Sequence, residues 1–314
     1  MSKKDKTISL KTDSGSFELD LKEATIGPGV IDIRTLYGQT GLFTFDPSYS
    51  ATASCESYIT YIDGTEGILE YRGYPIEQLA ELSTYLEVAY LLFNGELPSE
   101  NSLDDFRSNV KANMVMPEQT KKLFQGLDKD SHPMAMFNTA VLAMEKESVF
   151  RSYYDKGMNK NDFWKPTLED GIRLIAKLPA LGAGVYRIRF EKGNLINPDQ
   201  SLDWGANYAH MLGLDNSDNN LKKLMRLYLM LHCDHEGGNA SAFTSLTIGS
   251  TLSDLYYAVS GGLNALAGPL HGLANQECLK FVLDIRDEFG GAPSKKEIEA
   301  VSYTHLTLPT ICSV

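Results

Sequence analysis

Residues 219–241 read NNLKKLMRLYLMLHCDHEGGNAS. Leu221, Leu224, Met225, Tyr228 and Leu231 recur every three or four positions, so they share one face of an amphipathic helix. The pattern predicts that this helix runs on until Gly237 and Gly238 stop it. The polar residues that follow so apolar a helix, His232, Asp234, His235 and Glu236, admit two explanations. In one, the histidines sit at a helix C-terminus, where a protonated ring meets the negative end of the dipole and Gly237 caps the last turn. In the other, His232 and His235 share a face and hold a metal together with Asp234 or Glu236. The order H-x-x-H-E is neither H-E-x-x-H nor H-x-x-E-H, and no third ligand stands at metal spacing, so the sequence predicts no metal centre. The capping explanation accounts for the glycines but leaves the run Asp-His-Glu unexplained.

Another histidine, His271, lies 36 positions after His235 in LAGPLHGLANQE, residues 266–277. It stands between Gly268 and Gly272 at what reads as the start of a helix reaching to about Phe289. The positive end of a helix dipole lowers an imidazole pKa. A ring kept neutral in this way can polarise a carbonyl and stabilise an enolate-like oxyanion. The flanking glycines leave room for a ligand close to the backbone. Taken singly, such a residue reads more readily as a satisfied histidine in a helix-packing loop. Two histidines in glycine-flanked helix-boundary segments weigh toward chemistry.

Outward from these segments the chain reads as nearly all helix behind a β-rich start. TISLK and FELDL alternate around the turn TDSGS, and two short strands flank DGTEG. From Pro75 the period becomes helical: Ile76, Leu79, Leu82, Leu86, Ala89, Tyr90 and Phe93 form one predicted helix ending at Gly95. Further helices are predicted from Ser99 to about Met114, from Pro117, over HPMAMFNTAVLAMEKESV, and over TLEDGIRLIAKLPALGAGVYRIRF with a kink or end near Pro179. A small-residue-rich helix is predicted from about Ala242 to Asn264. Gly182 and Gly184 do not make a dinucleotide fingerprint, because Arg187 stands where the third glycine belongs.

With 314 residues, 43% of them hydrophobic, the chain can bury a large core. Its net charge of −12 argues against nucleic acid or an anionic membrane as partner. The early lysines are followed by no apolar run, and no stretch of about 18 apolar residues occurs, so neither a secretory signal nor a membrane span is predicted. Cys55, Cys233, Cys278 and Cys312 lack CxxC spacing and read as reduced thiols of a cytoplasmic protein.

DHEGGNASAF (234–243) followed by LAGPLHGLANQE resembles citrate synthase, and so does YIDGTEGILEYRGYPIEQLAELSTYLEVAYLLFNGELP (61–98). The resemblance spans about residues 15–300. The early strands are similar to those of bacterial members with an N-terminal β domain, whereas HEGGN and GPLHGLANQE look more like the shorter-chain branch. What it implies is a mainly α, multi-helical fold. A β-rich segment would span 1–74 and a large helical domain 75–300, with the small domain mostly missing. It also implies condensation of acetyl-CoA with oxaloacetate and water to citrate and CoA. No metal or resident cofactor takes part, acetyl-CoA being a substrate. By the same resemblance His271 is the catalytic donor to the thioester oxygen, His235 and Asn239 bind oxaloacetate, and Ser241 orients His271. The family forms homodimers or hexamers.

Two further parts of the family pattern, a second catalytic histidine in G-[YF]-G-H and an aspartate base, are not matched. His305 has neither the preceding glycine nor the following residues to take the histidine's place. The resemblance fades near Ala300, so VSYTHLTLPTICSV (301–314) is expected to be non-native sequence and the chain an inactive fragment. Three alternatives stand beside this reading: 2-methylcitrate synthase with propionyl-CoA as donor, a metal-dependent hydrolase at His232 and His235, and a non-catalytic helical binding module.

Overall fold

The computed structural model describes residues 6–47, 49–214, 219–272 and 274–298, so the tail 301–314 lies outside the described residues. The described chain divides into two compact units, one through Glu56 and one from Ser57 onward.

In the first unit β1 (Lys6–Thr12) and β2 (Gly15–Lys22) form the anticipated hairpin, Thr12 opposite Gly15, and β3 (Val30–Ile31) pairs with the far end of β2. Leu19 on β2 and Leu36 on the short α1 (Leu36–Thr40) are its buried apolar side chains. Arg34 grips the Asp32 carboxylate through two nitrogens, which holds that acid well below the usual carboxylate range.

The second unit opens with a three-stranded meander, β4 (Thr60–Asp63), β5 (Ile68–Tyr71) and β6 (Tyr74–Pro75), in which Thr60 sits opposite Tyr71. The β-rich stretch anticipated over 1–74 is thus shared between the units. The meander belongs with the helices because Tyr71 packs among Leu79, Val88, Leu91 and Met230.

The expected helix from Pro75 to Phe93 is two helices, α2 (Ile76–Leu82) and α3 (Tyr85–Asn94). A capping box separates them. Thr84 donates its backbone N–H to the Glu87 carboxylate at 2.6 Å and receives the Glu87 N–H in return. Gly95 ends α3 in the left-handed region, as predicted. α4 (Glu100–Asn113) starts at the Ser99 cap and α5 (Glu118–Gly126) follows Pro117. The stretch read as one helix over His132–Val149 is α6 (Pro133–Leu142) followed by a 3-10 turn (Glu145–Glu147), and α7 (Val149–Tyr154) begins where that stretch ends.

α8 (Trp164–Arg189) continues through Pro179, so of the kink or end expected there the end does not occur. A proline has no N–H for the carbonyl four residues back, here Ile175. Trp204 supplies the missing donor: its indole N–H lies 2.9 Å from the Ile175 oxygen. Trp204 begins α9 (Trp204–Leu212), a helix the apolar pattern did not announce, although its Asp203 cap and the Gly213 at its end are local signals. Around α8 the core gathers Phe124, Met136, Met144, Leu181, Met211 and Tyr256.

α10 (Asn220–Leu231) stops six residues before Gly237. The helix expected over 242–264 is a hairpin of α11 (Ala240–Gly249) and α12 (Leu255–Leu266), divided where Asp254 accepts the N–H groups of Tyr256 and Tyr257. Within the hairpin Gly261 and Gly262 let α12 lie close against α11. A methyl group at Gly261 would strike Ile248, and one at Gly262 would strike Ser245 and come within 3.0 Å of the Ser241 carbonyl. α13 (Ala274–Glu288) follows.

Candidate active site

The α11–α12 hairpin sets the first of the predicted side chains. Because the helices are antiparallel, the start of α11 lies beside the end of α12, and the turn after α12 returns His271 to Ser241. The Ser241 hydroxyl and His271 Nε2 are 2.8 Å apart. The turn is tight: Gly268 N–H reaches Ala265 O and His271 N–H reaches Gly268 O, each at 3.1 Å. Gly272 sits so close to the Leu266 carbonyl that any side chain there would collide with it. His271 itself precedes the first residue of α13 by three positions, in the turn. The expectation that it stands within the first turn of that helix is therefore corrected, and the Ser241 contact, not a place inside the helix, is what fixes the ring.

The loop 232–239 carries the rest. Asn239 caps α11, its side-chain oxygen accepting the Ala242 N–H at 2.9 Å. Its amide N–H donates to the Glu236 carbonyl at 2.6 Å, so the same side chain ties the loop to the helix that bears Ser241. His235 pairs through Nδ1 with the Glu236 carboxylate, and its side chain is 64% exposed. His232 turns back on α10, with Nδ1 2.7 Å from the Tyr228 carbonyl and its ring against the Tyr228 ring. The two histidines of the metal alternative are thus engaged by different partners. Among the described residues no group of three His, Cys, Asp or Glu side chains is placed to hold an ion.

The run Asp-His-Glu, unexplained by helix capping, has a structural cause at its first member. The Asp234 carboxylate accepts the Thr60 hydroxyl. Burial pushes this carboxyl above the usual range, against the pull of that hydroxyl. Tyr71, fully buried, places its hydroxyl 3.0 Å from the carbonyl oxygens of both Leu231 and Asp234. Burial raises the Tyr71 phenol to about 12. Cys233, beside Asp234 in the chain, is a half-buried thiol pushed up by desolvation and by that residue, so it stays protonated. Thr60 and Tyr71 carry no local signal of this role. They lie some 160 positions from the loop they hold, in a hairpin whose alternation reads only as strand.

Comparison with known proteins gives the family of the chain. The family described as citrate synthase, C-terminal domain, matches residues 48–307. Citrate synthase of Corynebacterium glutamicum is 39% identical over 283 residues, 88% of this chain and 62% of that protein. The mitochondrial citrate synthase of Daucus carota is 39% identical over 247 residues, 76% of this chain and 52% of that one. The crystal structure of citrate synthase from Pyrobaculum aerophilum superposes with a TM-score of 0.70 at 30% identity, covering 91% of this chain and 64% of that structure. The chain spans about half of the carrot protein's length.

Proposed function

The chain belongs to the citrate synthase family, and on that premise we propose that it takes part in condensing acetyl-CoA with oxaloacetate and water to give citrate and CoA. The contact between Ser241 and His271 carries the proposal. If the serine hydroxyl donates to Nε2, a neutral imidazole must keep its single proton on Nδ1. That N–H is then the donor that meets the thioester oxygen as negative charge builds there during loss of the methyl proton. The glycines on either side of His271 allow the substrate backbone-close access. His235, exposed at the edge of the loop, and Asn239 would hold oxaloacetate. The carboxylate base is left unassigned. The reaction as proposed uses no resident cofactor, and free, reduced thiols at Cys55, Cys233 and Cys278 fit a cytoplasmic setting. No helix among the described residues is long and apolar enough to cross a membrane.

Self-association belongs to the same reading. α11 buries none of its residues fully although it is largely apolar, and Leu246 on it and Leu224 on α10 are exposed. Such faces are the material of a homo-oligomer interface.

The test is calorimetric titration with oxaloacetate, with thiol release from acetyl-CoA as the second readout. Oxaloacetate is expected to bind, and His235→Ala to weaken it by at least about tenfold, or about 1.4 kcal/mol. Because neither the aspartate base nor the second histidine of the family pattern is matched, little thiol release is expected from this chain, and His271→Ala is expected to lower whatever oxaloacetate-dependent release it shows by about 10²–10⁴-fold. Propionyl-CoA in place of acetyl-CoA reads the donor preference, since one methylene is worth only about 1–3 kcal/mol. A chain that neither binds oxaloacetate nor releases thiol in its presence would refute the proposal.

A further inference from the structure

The Thr60–Tyr71 pair faces the loop that bears His235 from outside the catalytic set. The two residues are directly opposite each other across β4 and β5. Both spend their hydroxyls on the same short stretch. Thr60 donates to the Asp234 carboxylate. Tyr71 meets Leu231 O and Asp234 O at 3.0 Å each, and the Asp234 N–H points back at the phenol oxygen from 3.3 Å. Asp234, the residue immediately before His235, is thus held through its side chain, its N–H and its carbonyl by one cross-strand pair.

The Leu231 contact has a sharper meaning. Leu231 is the last residue of α10. Were the helix to continue, its carbonyl would accept the N–H of the residue four positions on, which is His235. The sequence invites that continuation, since the helical pattern has no local stop before Gly237. Neither proline nor glycine stands at 232–236. The Tyr71 hydroxyl therefore meets the carbonyl that His235 would otherwise use, and its oxygen takes the Asp234 N–H that a continuing helix would send to the Met230 carbonyl. One added helical turn would draw His235 onto the α10 cylinder and away from Asn239 and the start of α11.

Resting on the reading of His235 as an oxaloacetate ligand, we propose that Tyr71, seconded by Thr60, is a positioning residue for His235. It ends α10 one turn early and so presents the imidazole to substrate. Tyr71 touches no substrate in this scheme. It acts by engaging one backbone carbonyl and one backbone N–H, so the hydroxyl matters and the ring does not.

Tyr71→Phe isolates the hydroxyl, because the ring remains in the cluster with Leu79, Val88, Leu91 and Met230. Backbone carbon shifts at 232–235, measured by transverse-relaxation-optimised NMR on the deuterated chain, are expected to move toward helical values. Oxaloacetate affinity is expected to fall by about tenfold. Thr60→Val should act in the same direction and less. Val88→Ala is the control: it opens a cavity in the same cluster and lowers thermal stability, but leaves the shifts and the affinity in place. Unchanged shifts in Tyr71→Phe, or changed shifts with an affinity within about twofold of the parent, would overturn the proposal. If the parent chain takes up no oxaloacetate, the functional reading falls, while the shifts at 232–235 still decide whether Tyr71 ends the helix.

Discussion

Replacing Trp204 by Phe should expose how α8 tolerates its internal proline. The substitution keeps an aromatic ring stacked on Tyr85, whose centroid lies 3.7 Å from that of Trp204, but removes the indole N–H that serves Ile175. Two costs follow. The smaller ring gives up buried area and leaves a partial void, about 1–2 kcal/mol. The Ile175 carbonyl, inside a helix next to a side chain only 7% exposed, loses its donor, about 1–3 kcal/mol. Pro179→Ala gives the same carbonyl an ordinary backbone N–H four residues on. In the Pro179→Ala background only the first cost should remain, so the two substitutions should couple by about 1–3 kcal/mol. The assay is urea unfolding of the parent, both single variants and the double variant, compared at equal denaturant slope. Additivity to within about 0.5 kcal/mol would show that the indole contact does not stand in for the missing helical bond.

Two shorter predictions concern the site and its support. Gly262→Ala, which drives a methyl group at Ser245 and the Ser241 carbonyl, should destabilise by about 1–3 kcal/mol. Gly249→Ala meets nothing within 4 Å and should instead stabilise by about 0.5–1 kcal/mol; thermal unfolding of the pair checks the contrast, and shifts of the same sign would contradict close packing of α11 on α12. Native Tyr71 holds its proton up to about pH 12, against 10.0 for an ordinary phenol, so the unfolded chain releases it first. The stability it contributes is whole below pH 10 and is lost as the pH rises toward 12. Urea midpoints across that window should fall less steeply for Tyr71→Phe than for the parent, and equal slopes would count against the assignment.

What the sequence could reveal depended on where each backbone group finds its partner. Helices whose ends are served locally were legible: Ser99 opens α4, Gly95 closes α3, and the hairpin of β1 and β2 turns where TDSGS says it should. The split at Thr84 and the split at Asp254 were also written locally, in a capping box and an N-cap, and were missed because a continuous apolar run outweighed them. Two other misreadings had no local remedy. Pro179 looks like a breaker because the donor that repairs it comes from Trp204, in another helix. α10 looks longer than it is because its acceptor is taken by Tyr71, from a strand. Ser241 and His271 could be paired only through the combined wording of two segments, since their spacing alone does not say that a glycine-lined hairpin folds one onto the other. The same wording placed His271 in a helix, whereas the chain needs the turn at 268–272 to bring the ring back to Ser241.

The two halves of the candidate site are consequently held by interactions of different stiffness. On the His271 side the constraint is steric. Gly262 and Gly272 lie against the Ser241 and Leu266 carbonyls, and repulsion rises steeply within tenths of an ångström, so the Ser241–His271 geometry has little room to drift. On the His235 side the constraint is a competition between hydrogen bonds of similar strength, Tyr71 hydroxyl against His235 N–H for one carbonyl, each worth about 0.5–1.5 kcal/mol. A difference that small leaves the loop sensitive to any further contact made by His235. A ligand that binds the ring only when α10 ends at Leu231 adds its own free energy to the Tyr71 side of that balance. On the function proposed above, the His271 ring would then be preformed, while His235 would be the part whose position its ligand reinforces. That ordering would suit the proposed condensation, in which the ketone must be in place before the enolate is made, because an enolate generated without an electrophile would only take back its proton.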